Sequence, residues 1–407
     1  MSRRLTRRRY LVGLGATAAV GLAGCSGDGD GGGTPTSTGG AGQSEAGPVW
    51  RMMSVDAANS GTVPDTTGPS EAVTANWTVE VDGRPYKTAA VVDDTVYFGS
   101  SYTGIYAVSA ADGSQQWHVN TKNDIESSPA VVDGTVYVAD AGSESTEGTL
   151  YALSADDGSE EWTFEADKGL SSSPAVADGT VYIGAGNIRS DSGRVYAIDA
   201  SDGSEKWRAP VDSGVTGAAA VGDGMVYFGD GDVDDGGGNL YAFSTDDGSE
   251  AWRHETENSF FAAAVVDGTV YAGSRTGDMF AFSPADGTVQ WSEYIDPVRS
   301  SPAVADDTVY VAASESIKAL SAADGSEQWV FETQRDVTEP VAVVDGVVYG
   351  GDGYSTSGGG TVYAVSADDG SELWRFDTDG PAGGPAVIDG TAYVGDAGGN
   401  MYALTEK

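Results

Sequence analysis

The residues of this chain that could do chemistry are few, and their spacing limits what they could do. One stretch, Asp230-Gly231-Asp232-Val233-Asp234-Asp235-Gly236, carries acids at alternate positions. Asp230, Asp232 and Asp234 are spaced as at the start of a calcium loop, where a hard cation gathers six to eight oxygens. The glycine falls one position late, however, and Tyr241 stands where a closing glutamate would be needed. A solvated acidic loop is therefore favoured, with calcium kept open as an alternative. The two histidines, His118 and His254, each fall just after a recurring tryptophan and are read as strand-surface residues rather than ligands. Cys25 is the only cysteine, which excludes a disulfide within the chain and any multi-cysteine metal site.

The wider composition sets the context. The chain has 407 residues, with 59 glycines that point to many tight turns and short strands. Its formal net charge is −41. Arg3, Arg4, Arg7, Arg8 and Arg9 stand in an acid-free leader, which leaves 16 basic residues against 62 acids, a balance of −46. Such a surface repels nucleic acid. The acids run along the whole chain, so a salt-adapted surface explains them better than one cation site or one basic partner. A haloarchaeal source fits that surface.

The leader has three parts in order. Thr6-Arg7-Arg8-Arg9-Tyr10-Leu11-Val12 resembles a twin-arginine export signal. An apolar run from Leu11 to Val20 follows, too short to span a bilayer comfortably. Leu22-Ala23-Gly24-Cys25 then resembles a lipobox, which implies cleavage before Cys25 and a lipid on its thiol. Residues 1–24 are thus expected to be a signal peptide. Residues 25–47, mostly Gly, Ser, Thr and Asp, are expected to be a tether without a fold of its own. The implied location is the outer face of the cytoplasmic membrane, held there by lipid.

From residue 48 the sequence repeats. Trp77, Trp117, Trp162, Trp207, Trp252, Trp291, Trp329 and Trp374 recur over 297 residues, about 42 apart, the size of one propeller blade. The second unit shows the pattern. Ser128 to Val132 is short and apolar, as an innermost strand near an axis should be. Asp133-Gly134 is a hairpin turn, and Thr135 to Val138 is β-branched and aromatic. Thr149 to Leu153 forms a third strand, and Glu161-Trp162-Thr163-Phe164 alternates like a half-exposed outer strand. The last unit stops at its third strand, Met401 to Leu404, while a surplus outer strand lies around Ala75 to Val81. The expected fold is all-β: an eight-bladed β-propeller of four-stranded antiparallel blades, its ring closed by the N- and C-terminal strands. It is expected to be a monomer.

Ala197, Asp199, Asp202, Gly203 and Trp207 resemble the motif A-x-D-x-x-T-G-x-x-x-W of the PQQ-type propeller repeat, with Asp in place of Thr. The resemblance covers residues 50–407, and Trp50 to Gly61, with Asp56-Ala57-Ala58-Asn59, looks like the strap that precedes such propellers. Members of the family that hold the quinone against a vicinal disulfide need adjacent cysteines, which are missing here, as is a C-x-x-C-H haem site. No cofactor is expected, PQQ included. The lipoprotein signal and eight blades resemble the BamB-like branch, which implies a non-catalytic scaffold that binds a protein. A PQQ-dependent dehydrogenase and a sensor of small molecules or carbohydrates are the alternatives.

The partner is expected on the face of variable loops. Long second-to-third loops occur at Ala141–Gly148, Asn187–Gly193, Asp230–Gly238 and Tyr354–Gly360. The residues leading into the innermost strands form a ring: Tyr86, Glu126, Ser171, Thr216, Phe260, Arg299, Glu339 and Ala382, with Phe261 beside Phe260. Tyr86, Glu126, Phe260, Phe261, Arg299 and Glu339 are the candidate contacts, since aromatic and arginine side chains anchor interfaces. Phe260 and Phe261 read equally well as a plug of core. Lys318, where other units have Tyr or Phe, marks a loosened third strand.

Overall fold

The computed structural model describes residues 49–142, 147–186, 190–215, 217–231, 237–257, 259–353 and 358–407. They belong to one compact unit, Ser44–Lys407. The expected signal peptide (1–24), Cys25 and the tether to residue 47 lie outside the described residues.

The strands assemble into eight four-stranded antiparallel sheets, and the chain is the eight-bladed propeller expected from its repeats. In blade 2 the innermost strand is Ala130–Val132, followed by Thr135–Ala139, Thr149–Ser154 and Glu160–Glu165. The tight turn between its first two strands has Asp133 at φ 51° and Gly134 at φ 79°. Two left-handed residues in a row match the twist of the flanking strands, which is why Asp-Gly recurs there. The Val-Tyr pair of the second strands, Ala-Tyr in blade 8, is buried in every blade. The outer strands alternate exposed and buried, as Glu372–Thr378 does with Trp374 turned inward.

Each of the eight repeat tryptophans uses its indole N–H to tie its outer strand to a neighbouring element. The indole Nε1 of Trp117 donates to Ala155 O at 2.9 Å, that of Trp162 to Ala200 O at 3.0 Å and that of Trp207 to Thr245 O at 3.0 Å. The turn glycine of the following blade lies flat on the ring: a Cβ on Gly203 would come within 2.6 Å of Trp162. The same steric need explains Gly at this turn in seven units.

At the seam the rule is kept with different parts. The strand Val73–Glu80 pairs with Asn400–Glu406 and supplies blade 8 with its outer strand. Trp77 Nε1 then donates to Ala110 O of blade 1 at 2.8 Å. In blade 7 the acceptor comes from the segment before the closing strand, and Trp374 Nε1 donates to Pro69 O at 2.6 Å.

The strap, residues 49–69, is more than a segment laid along the ring. It winds round the axis and bonds to the free edges of the innermost strands. The amides of Val91, Val131, Val221, Val265, Val304 and Val343, in blades 1, 2, 4, 5, 6 and 7, donate to the carbonyls of Trp50, Arg51, Ala57, Ala58, Ser60 and Gly61. Asp56 shapes the turn by accepting from Ala58 N, Ser60 N and Ser60 Oγ. Asn59 Nδ2 donates to Ala219 O and Ala263 O, both at 3.0 Å, and so ties blade 4 to blade 5.

Lys318 does not mark a loosened strand. Ser316–Ser321 is paired on both sides, and Lys318 Nζ bonds Asp296 at 2.9 Å. The histidines are also more than surface residues. His118 stacks on Tyr106, and His254 packs among Phe260, Phe280 and Phe282.

Candidate functional site

On the variable-loop face the segments leading into the innermost strands converge on a funnel of about 540 Å³, into which Met53 of the strap reaches. Of the candidate contacts, Tyr86, Glu126, Phe261, Arg299 and Glu339 line it, together with Ser171 and Ala382 of the same ring. Thr216 lies outside the described residues.

Phe260 does not belong to the site. It is 2% exposed and packs against His254 and Phe280 in the core between blades 4 and 5. The reason is local. Blade 5 has a seven-residue inner strand, Phe260–Val266, where other blades have three. Its pairing shifts between Phe260 and Ala263, so one extra residue is absorbed in a β-bulge. The bulge turns Phe260 to the core and Phe261 to the funnel. Gly217 of blade 4 makes room for it, since a Cβ there would sit 1.5 Å from Phe261 O.

Glu339 sits one residue past the ring position, which Thr338 occupies, and it reaches the funnel through a partner. Lys87 Nζ bonds Glu339 Oε1 at 2.8 Å, from blade 1 to blade 7 across the small residues of blade 8. Burial opposes the charge on Lys87, but Glu339, Tyr86 and Glu126 together outweigh it, and the ammonium is held above the usual lysine range. Lys87 pulls the neighbouring Tyr86 phenol down, while burial, Glu339 and Glu126 together push it above its ordinary value. Arg299 Nη1 bonds Asp336 Oδ2 at 3.0 Å. Reading one position per blade singled out Arg299 and Glu339; it missed Lys87, Arg84 and Arg275, which also line the funnel. A basic residue in so acidic a chain is the signal that could have found them.

The acids read as a calcium loop have another use. Asp232 and Asp234 lie outside the described residues. Asp230 is 1% exposed, and its carboxylate is taken up by its own fold. It accepts from Ser213 N at 2.9 Å, Asn239 N at 2.6 Å, Asn239 Nδ2 at 3.2 Å and Tyr241 OH at 3.1 Å. Tyr241, in the place of a closing ligand, is a donor to the acid instead. Burial pushes the Asp230 carboxyl above its ordinary value, against these hydrogen bonds. The clasp recurs. Tyr151 OH donates to Asp140, Tyr363 OH to Asp352 and Tyr402 OH to Asp396. Each acid ties the loop between the second and third strands to the approach from the preceding blade. These acids hold up the loops of the variable face.

The sequence matches the family model described as Outer membrane protein assembly factor BamB over residues 47–168, 146–316, 260–353 and 313–407. The chain belongs to this family. No curated protein matches it. Among solved structures, BamB from Moraxella catarrhalis is similar at 18% identity and TM-score 0.64, over 83% of this chain and 98% of that one. A quinohemoprotein alcohol dehydrogenase from Pseudomonas putida gives 16% identity and TM-score 0.70, over 88% and 80%. A europium-containing methanol dehydrogenase gives 14% and 0.75, over 89% and 98%. At these identities the likeness is one of fold. The residues of the funnel do not fit a quinone held against a vicinal disulfide, because Cys25 is the only cysteine of the chain.

Proposed function

We propose that this protein is a non-catalytic scaffold that binds a protein partner on the variable-loop face of its propeller, similar in kind to the BamB proteins of its family. The observation that carries the reading is the contrast between the two faces. One is built of short Asp-Gly turns that repeat with little change. The other holds a funnel whose walls present a tyrosine, a glutamate, a phenylalanine and an arginine from blades 1, 2, 5 and 6. A rigid ring with one individual face suits recognition of a partner. The twin-arginine and lipobox patterns around Cys25 support export and lipid anchoring on the outer face of the cytoplasmic membrane. The acidic composition supports work in high salt.

The test is a pull-down of the detergent-solubilised protein in molar salt, with an absorbance spectrum of the same sample. A stoichiometric partner without a chromophore is expected. A stoichiometric quinone would overturn the reading. Cys25→Ser should move the protein from the membrane to the soluble fraction; its retention there would remove the lipid anchor.

A further inference from the structure

The funnel differs in charge from the rest of the molecule. Of the 16 basic residues that follow the leader, four line it: Arg84, Lys87, Arg275 and Arg299. An even spread would place about one there. Acids are not enriched in the same way: Asp124, Glu126 and Glu339 are what the composition of the chain would supply. Two of the cations are already matched, Lys87 by Glu339 and Arg299 by Asp336. Arg84 and Arg275 make no ion pair among the described residues. They come from blades 1 and 5, four blades apart in a ring of eight, so they stand on opposite walls. A guanidinium keeps its proton and five donors at any ordinary pH. Leaving two of them half-buried without a carboxylate, in a chain so rich in carboxylates, reserves them for something else.

A third donor belongs with them. Ser300 lines the funnel and is 5% exposed, and its Oγ has no hydrogen-bond partner among the described residues. A buried hydroxyl left unpaired is costly unless a ligand completes it. Apolar contact is supplied by Tyr86, Phe261 and Tyr102, the last 67% exposed at the rim.

We infer that the funnel receives an acidic peptide segment of the partner, with Arg84 and Arg275 pairing its carboxylates and the Ser300 hydroxyl donating to it. The inference rests on the protein-binding reading above and adds the chemistry of what is bound. Cations on opposite walls suit carboxylates spaced along a chain better than a single compact anion. The net charge of the molecule is no obstacle in molar salt, where long-range repulsion fades within about 3 Å while partly buried contact pairs are screened much less.

Fluorescein-labelled hexaglutamate, hexaglutamine and hexalysine, titrated in molar potassium chloride against the full-length protein in detergent, test this by anisotropy. Hexaglutamate should bind best. Its affinity should fall about tenfold or more in Arg275→Glu and in Arg84→Glu, and stay unchanged in Lys122→Glu, which lies outside the funnel. Matching melting temperatures, and partial rescue by Arg275→Lys, separate lost binding from lost folding. Failure of hexaglutamate to bind, equal binding of hexalysine, indifference to both charge reversals, or displacement by equimolar citrate would each overturn the inference. The pull-down repeated with Arg275→Glu keeps the two readings apart. A partner captured equally well by that variant overturns the funnel assignment alone. Absence of any partner with the wild type overturns the scaffold reading.

Discussion

At the scale of single residues, the third strands show how side chains are chosen together. A tyrosine stands there in most blades, and its buried hydroxyl needs an acceptor. Blades 2, 4, 7 and 8 supply it with the aspartate clasp. In blade 3 the acceptor is Asp167, 2.5 Å from Tyr196 OH. In blade 6 the position is Lys318, and its partner is Asp296. In blade 5 it is Phe280, with no hydroxyl to satisfy, and His254 packs on its ring instead. From sequence, Asp230 could be read as a metal ligand because it opens a run of acids at alternate positions. Only the fold shows Tyr241 and Asn239 already bonded to it. His254 has a measurable consequence. Burial lowers its pKa below 6.5, against the pull of Glu255. The folded protein thus holds the proton more weakly than the unfolded chain, so this contribution to stability is present above pH 6.5 and is lost as pH falls through the folded pKa. Thermal unfolding from about pH 8 to 5 should show the wild type losing more stability than His254→Phe on the acid side. A difference between the two that does not change with pH would contradict this account.

At the scale of elements, the blades were legible because everything that makes them is local and repeated. The Asp-Gly turn fixes the first hairpin, Val-Tyr the second strand, and the tryptophan the outer one. Irregularity was not legible. Counting one residue per ring position placed Phe260 and Glu339 at the mouth, whereas the bulge of blade 5 puts Phe261 there and Thr338 holds the position in blade 7. Two adjacent phenylalanines give no alternation from which to read the bulge. Its companion is Gly217, whose missing Cβ lets the Phe261 carbonyl approach. Gly134 provides the contrast, with φ +79° and open space where its Cβ would go. Gly134→Ala should cost about 1–2 kcal/mol, from backbone strain alone. Gly217→Ala should cost about 3 kcal/mol or more, because backbone would have to move. Chemical denaturation in constant salt measures both, and similar values for the two would show that the bulge is not held by this contact.

At the scale of the whole molecule, a propeller has two places where a ring can fail: the seam and the axis. The seam was legible, since eight tryptophan strands and a truncated last unit leave one arrangement that closes. The axis was not. Trp50 to Gly61 carries no β pattern, and its carbonyls, which do the bonding, are invisible in a list of side chains. Yet the innermost strands would otherwise present bare amide edges to the channel. The strap accepts from six of them, at Val91, Val131, Val221, Val265, Val304 and Val343. At roughly 1 kcal/mol for each bond, their sum is comparable with the net stability of a typical domain, about 5–15 kcal/mol. A chain begun at Gly68 keeps Pro69 for Trp374 and the closing strand with Trp77, but loses the strap. Compared with a chain begun at residue 48, it should melt at a markedly lower temperature. Its six valine amides should exchange with deuterium about a hundredfold faster or more, while amides of the second strands change less. If those six amides keep their protection, water or a rearranged channel satisfies them, and the strap is not what holds the axis.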